Sequence, residues 1–402
     1  MKTTKKALSF IFLLGLVSLF GDITYEGARS INGPYLKLLA VNATVLGLIS
    51  GAGEFLGYAL RLLSGYFSDK TKSYWLFTFL GYGLLLSVPL LSLAGTWQVA
   101  ALFILIERIG KAIRSPARDT ILSQASWGIG TGFGFGLHEA MDQIGAITGP
   151  LIFTIFFMKL GKPQMAISDY QRGYAFLGIP FLLAMLCLVI SYFKLPRPDT
   201  LEKQKNIVFD KLSKIFWLYT LFTFISTMGV CNFILIAFHF KSKNILSDVQ
   251  IPFFYAIAMG IDAIFALAIG KYYDVLKKIK NIQSAGLNLL VVVPLFSLLV
   301  PFFVFSKHFI LILIGIICWG SIVGIQETIM RSAIADITSL SKRGLAYGIF
   351  NTVYGLAVFV GSSLLGFIYD HSLSALIVTV VVIEAIAFLC FFLVKKEISS
   401  EG

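Results

Sequence analysis

The chain is short of charge. Only 13% of its 402 residues are Asp, Glu, Lys or Arg, while 57% are hydrophobic, against roughly a quarter charged in soluble domains. Water-soluble cores cannot hide that much apolar residue, so the composition implies a polytopic membrane protein. Cysteine is also scarce: Cys187, Cys231, Cys318 and Cys390 stand singly in apolar segments, without a CxxC pair or a His at ligand spacing. They read as small buried hydrophobes rather than disulfides or metal ligands. Long polar intervals are missing too, the longest being 195–212, which leaves no room for a soluble output domain. No Ser, Cys or His constellation suggests catalysis. The alternation Gly128, Gly130, Gly132, Gly134, Gly136 lacks the Lys-Ser/Thr of a phosphate loop and suits close helix packing. Neither an enzyme nor a bound cofactor or metal is expected.

Apolar runs of the length needed to cross a bilayer, about 20 residues, recur along the whole chain. Polar or turn-forming junctions divide it into twelve spans: 8–38, 43–68, 73–94, 97–117, 130–158, 172–194, 213–241, 250–273, 282–305, 308–331, 342–369 and 372–395. The first is read as a retained helix, because its apolar run reaches Asp22 and Glu26 without a small-residue cleavage site. The interval 195–212, with Pro196 and Pro198 followed by mixed charges, separates an N-terminal six-helix bundle, 1–194, from a C-terminal one, 213–402. With the N-terminus inside, inner segments hold 22 of the 33 basic residues. Positive-inside bias therefore places both termini and the linker in the cytoplasm of a plasma (inner) membrane protein. The +12 net charge is mainly topology, with the anionic bilayer surface as its partner, and implies no nucleic-acid partner.

The halves also repeat. GYFSD, Gly65 to Asp69, recurs as GKYYD, Gly270 to Asp274, and Gly136 and Gly149 match Gly348 and Gly361. Two similar six-helix halves form a recognised transporter plan, with the substrate near the midplane.

Specific residues carry a family likeness. Gly65-Tyr-Phe-Ser-Asp69-Lys70-Thr-Lys72 resembles the loop motif between the second and third helices of the major facilitator superfamily, with Lys72 where that motif usually has Gly. Gly145-Ala-Ile-Thr-Gly149-Pro150 resembles the Gly-x-x-x-Gly-Pro motif of its drug/proton antiporters, with Ile152-Phe153 where a Gly pair often follows. GDITYEGARSINGPYL, GEFLGYALRLLSGY, ERIGKAIRSPARD and GFGLHEAMDQIGAITGP together resemble a prokaryotic permease subgroup. The resemblance covers essentially the whole chain. It implies an all-α membrane protein of twelve transmembrane helices in two pseudo-symmetric six-helix bundles, acting by secondary transport.

Charges at membrane depth cost roughly 2.5–3.5 kcal/mol each at a helix centre, so they usually face a bundle interior or aqueous cavity. In the first helix Asp22, Glu26 and Arg29 fall at i, i+4, i+7 on one face. Burial favours the neutral form of a carboxyl, which makes Asp22 a candidate proton carrier; Glu26 with Arg29 also reads as a structural ion pair. Glu54 lies at mid-depth in the second helix. Glu107, Arg108, Lys111 and Arg114 lead down the fourth helix to Ser115-Pro116, where proline predicts the helix end. His138, Glu139 and Asp142 lie in the fifth, with His138 and Asp142 on one face as a potential relay. Asp69, Lys70, Arg114, Arg118 and Asp119 are expected at a cytoplasmic gate, and Gly145, Gly149 and Pro150 at a bend.

These observations predict a monomeric secondary transporter working by alternating access, with protons as coupling ion and efflux of a small-molecule organic substrate. The alternative is a proton or ion symporter importing an anionic metabolite, with Arg108 and Lys111 as substrate ligands. A non-transporting membrane sensor is a third class.

Overall fold

Proline inside a helix removes one backbone donor and leaves the carbonyl four residues back without its partner. At Pro116 that carbonyl is Ala112 O, and Ser64 Oγ donates to it at 2.7 Å from a neighbouring helix. The helix therefore does not end at Ser115-Pro116, as the sequence predicts, but continues to Ser126. Ser115 and Thr120 hydroxyls bond the carbonyls of Lys111 and Pro116 along the same stretch.

The structure is a computed structural model and describes residues 2–126, 130–195, 212–280, 289–338 and 342–401. Most of the expected linker, 196–211, lies outside the described residues, and all regular structure among them is helical. The order is α1 Lys2–Leu38, α2 Ala43–Thr71, α3 Tyr74–Gly83, α4 Ser87–Leu90, α5 Trp97–Ser126, α6 Thr131–Leu160, α7 Ile167–Phe176 and α8 Gly178–Lys194. It continues with α9 Lys214–Gly229, α10 Phe233–Ser242, α11 Gln250–Lys280, α12 Val292–Val304, α13 Phe309–Ile337, α14 Arg343–His371 and α15 Leu373–Glu401.

Among the described residues ten helices are long and apolar enough to cross a membrane. Two of the twelve expected spans fall outside that set. α5 carries six charged residues in its 30, and Leu289–Val304 is a shorter apolar helix whose preceding residues, 281–288, lie outside the described ones.

The chain forms two compact units. One comprises Met1–Val41, Leu56–Gln204 and Phe240–Ala256; the other comprises Asn42–Phe55, Lys205–His239 and Ile257–Gly402. Within the first, α1 packs mainly on α6, and glycine sets the approach. A Cβ on Gly149 would stand 2.6 Å from Ile23 O, and one on Gly145 2.5 Å from Leu19 O. The second unit repeats the device where the internal repeat predicts it: a Cβ on Gly361 would stand 2.5 Å from Met228 O of α9. Gly65 likewise faces Pro116 of α5, and its counterpart Gly270 faces Thr328 of α13.

The segment 240–256 is pinned to the first unit by Asp248. Its carboxylate accepts Met165 N at 2.8 Å, Tyr170 Oη at 2.5 Å and Lys241 Nζ at 2.7 Å. That anchor carries the start of α11, and with it Tyr255, to the site described next.

Candidate functional site: a buried charge cluster on α1, α5 and α6

On α1 the predicted face forms. Glu26, 5% exposed, is held by Arg29 Nη1 at 3.3 Å and accepts a hydrogen bond from the hydroxyl of Tyr255. Two donors thus hold this carboxylate in place. Asp22 is buried on the same face, its Cβ 2.9 Å from where a Cβ on Gly145 would stand. This places it one turn from Asp142 on α6.

On α5, Glu107 and Arg108 are both buried and paired with each other at 3.2 Å. Lys111 Nζ donates to Tyr25 Oη at 2.7 Å and lies 4.1 Å from that ring's centroid. Arg114, 2% exposed, sits between the rings of Tyr82 and Tyr25, at 4.8 and 5.8 Å. It therefore shares a tyrosine with Lys111 and belongs to the buried cluster. The run of basic residues expected down the fourth helix is present, but its partners are largely aromatic.

One turn further, Arg118 is held by several partners. Its Nε and Nη2 bond Asp119 Oδ1 at 3.0 and 2.9 Å, and its Nη1 donates to Ser18 Oγ at 3.0 Å. The same Nη1 lies 3.9 Å from Asp142 Oδ2, and that oxygen lies 3.4 Å from His138 Nδ1. Asp142 Oδ1 and His138 Nε2 have no hydrogen-bond partner among the described residues. Asp142 is thus a carboxylate beside a guanidinium that Asp119 already neutralises. Protonating it would not strand Arg118.

Other predicted residues have their own surroundings. Glu139 is exposed, on the side of α6 away from buried His138, because adjacent helix positions diverge by about 100°. Glu54 is half-buried on α2 and falls in the second unit. Asp69 and Lys70 are exposed at the end of α2. Asp69 accepts Tyr74 Oη at 3.1 Å, and Lys70 lies over the Tyr66 ring; neither pairs with Arg118 or Asp119. Pro150 lies inside a continuous α6, while Gly145 and Gly149 meet α1. Tyr25, Tyr82, Tyr255 and Ser18 were not anticipated. Tyr25, at i+3 from Asp22 on the charged face, was open to discovery by spacing; Tyr255 sits in an apolar run with no local signal.

Comparison with known proteins places this cluster in a broader setting. The sequence pattern of the Major Facilitator Superfamily matches residues 11–332. An uncharacterized protein of Mycobacterium tuberculosis is 37% identical over 98% of this chain and 95% of its own length. An uncharacterized MFS-type transporter of Methanocaldococcus jannaschii is 28% identical over 90% of this chain and 89% of its own. Among solved structures, a variant of the nucleoside transporter NupG superposes with a TM-score of 0.76 at 14% identity, covering 96% of this chain and 99% of its own. An inward-facing, unoccupied bacterial homologue of the lysosomal transporter Spinster gives 0.71 at 14% identity, covering 98% of each chain. At such identities the likeness is one of fold.

Proposed function

Because this chain belongs to the Major Facilitator Superfamily, and is thereby a multi-pass membrane transporter, we propose that it exports a small organic solute in exchange for protons. The bundles 1–194 and 213–402 are its moving parts in alternating access, with both termini cytoplasmic. The observation that carries this reading is Asp142, a carboxylate with one unpartnered oxygen beside His138 and an Arg118 shared with Asp119. A proton arriving at Asp142 removes one of the two anions beside Arg118 and leaves the guanidinium on Asp119. Loss of the proton restores the competition. A change of partner of this kind gives the two conformations different proton affinities, and a ligand biases an equilibrium only through such a difference. Asp22, one turn away across Gly145, is the second acid of the relay. Glu26, held by Arg29 and Tyr255, stays charged and structural.

Export is favoured over uptake of an anionic metabolite by the state of the cations. Arg108 is paired with Glu107, Lys111 is bonded to Tyr25, and Arg118 is bonded to Asp119 and Ser18. A substrate carboxylate would have to displace these partners. Asp69 and Lys70 lie at the end of α2, suited to a cytoplasmic gate with Arg118 and Asp119 inside α5, and Arg114 is buried on that same helix.

The test is reconstitution of the full chain in liposomes containing a pH dye, challenged with a panel of neutral, cationic and anionic solutes. Proton movement opposite to a neutral or cationic solute supports the proposal. Proton movement along with an anion, abolished by Arg108→Glu, would replace it with the uptake reading.

A further inference from the structure

The second unit holds a buried carboxylate with a different kind of surrounding. Glu384 on α15 is 0% exposed, and α15 packs on α9 and α12. Its Oε2 accepts Ser226 Oγ of α9 at 3.2 Å. Ser297 of α12 lies against the same carboxylate, with its hydroxyl outside hydrogen-bond geometry. Glu384 Oε1 has no partner among the described residues. It points at the end of α9, for a Cβ on Gly229 would stand 2.2 Å from it.

Gly229 is where an expected continuous span, 213–241, breaks. Val230 is extended, with φ −73° and ψ 117°, and α10 starts at Phe233. The break is held open from both sides: Trp319 Nε1 donates to Cys231 O, and Asn232 Nδ2 donates to Ser50 Oγ, both at 2.8 Å. A helix ending here leaves its last carbonyls without intrahelical partners and presents the negative end of its dipole.

A carboxylate facing such an end is doubly unfavourable unless positive charge joins them. Among the described residues no ion pair supplies it, and the lone basic residue of α9, Lys214, sits at the helix's other end bonded to Glu397 at 2.9 Å. The oxygens here, one carboxylate and two serine hydroxyls beside the C-terminal end of a broken helix, are hard donors of the type that alkali cations take in discontinuous membrane helices.

We propose that Glu384, Ser226, Ser297 and the end of α9 at Gly229 together bind a monovalent cation of sodium size. Glu384 supplies the balancing charge, and glycine at 229 keeps the entry clear. The bound ion would hold α9, α12 and α15 together at the break, independently of Asp142.

The test uses the purified full chain in detergent at constant ionic strength, in sodium, potassium or choline chloride. Sodium should raise the melting temperature saturably while choline does not, and radioactive sodium should bind with the same midpoint. Trp319, bonded to the break, should report binding by fluorescence. Glu384→Gln should abolish all three responses. Ser297→Ala, a smaller change that keeps the protein measurable if Glu384→Gln does not fold, should weaken sodium binding on the order of tenfold. Identical melting in all three salts without saturable sodium binding would overturn the proposal, as would wild-type binding by either variant. A shift produced by acidification alone, independent of the cation, would make Glu384 a protonated carboxyl and sink the sodium site. None of these readings uses solute transport, so the outcome is separable from the proton-exchange proposal.

Discussion

The two buried polar regions solve the same problem in opposite ways. On α1, α5 and α6, acids and bases are interleaved, so most of the charges have an internal counter-charge or an aromatic face. On α9, α12 and α15, a single acid meets hydroxyls and a helix end. An interleaved cluster can change partners when one proton arrives, as Arg118 can between Asp119 and Asp142. A lone acid has nothing to exchange and must draw its positive charge from solution. The first arrangement suits coupling to protons, and the second suits holding an ion. Both rest on the same scaffold, a glycine that lets one helix touch another: Gly149 against α1 and Gly361 against α9.

The largest effect expected is from Arg118→Gln, which leaves Asp119 and Asp142 facing each other without their shared cation. Asp119 is half-exposed, so losing this charge-assisted pairing should cost about 1.5–3 kcal/mol, and the loss should appear as reduced thermal stability, partly restored by adding Asp142→Asn. No restoration would mean that Asp142 does not sense Arg118.

Next is the shared scaffold. Gly149→Val and Gly361→Val each force a side chain into a backbone contact and should cost about 1–3 kcal/mol, whereas Gly95→Ala, with nothing within 4 Å, should be nearly neutral. Melting of the three variants compares the halves directly; a harmless Gly361→Val would break the equivalence between them.

Tyr255→Phe removes a donor from buried Glu26 and should cost about 2 kcal/mol. Because Glu26 is assigned a structural role, proton-to-solute stoichiometry should stay unchanged in this variant even as stability falls.

The smallest effect expected is from Ser64→Ala, about 1 kcal/mol, through the lost bond to Ala112 O. In a Pro116→Ala background, where the backbone donor returns, that penalty should largely vanish. A double-mutant cycle on melting measures the difference.

Much of this arrangement was legible in the sequence because it obeys local periods. Spans announce themselves by apolar length, Asp22 and Glu26 share a face by spacing, and the recurrence of Gly149 at Gly361 marks the repeat. What escaped depends on contacts between distant segments. Pro116 predicts a helix end only while Ser64, 52 positions earlier, is unseen. Tyr255 reaches Glu26 because Asp248 pins the start of α11, and nothing near Tyr255 in the chain says so. Glu139 adjoins His138 in the sequence, yet the helix exposes it while burying His138. The break at Gly229 has no proline to mark it; its cause lies in Glu384, Trp319 and Ser50, which approach from other helices.

The central claim, that Asp142 couples proton movement to solute export, is tested most directly by counting protons per exported solute in liposomes for the wild type, Asp142→Asn and Asp22→Asn. The account predicts that the wild type moves protons against solute, while Asp142→Asn passes solute only down its own gradient with no proton movement. Full proton-coupled export by both Asp142→Asn and Asp22→Asn would contradict it.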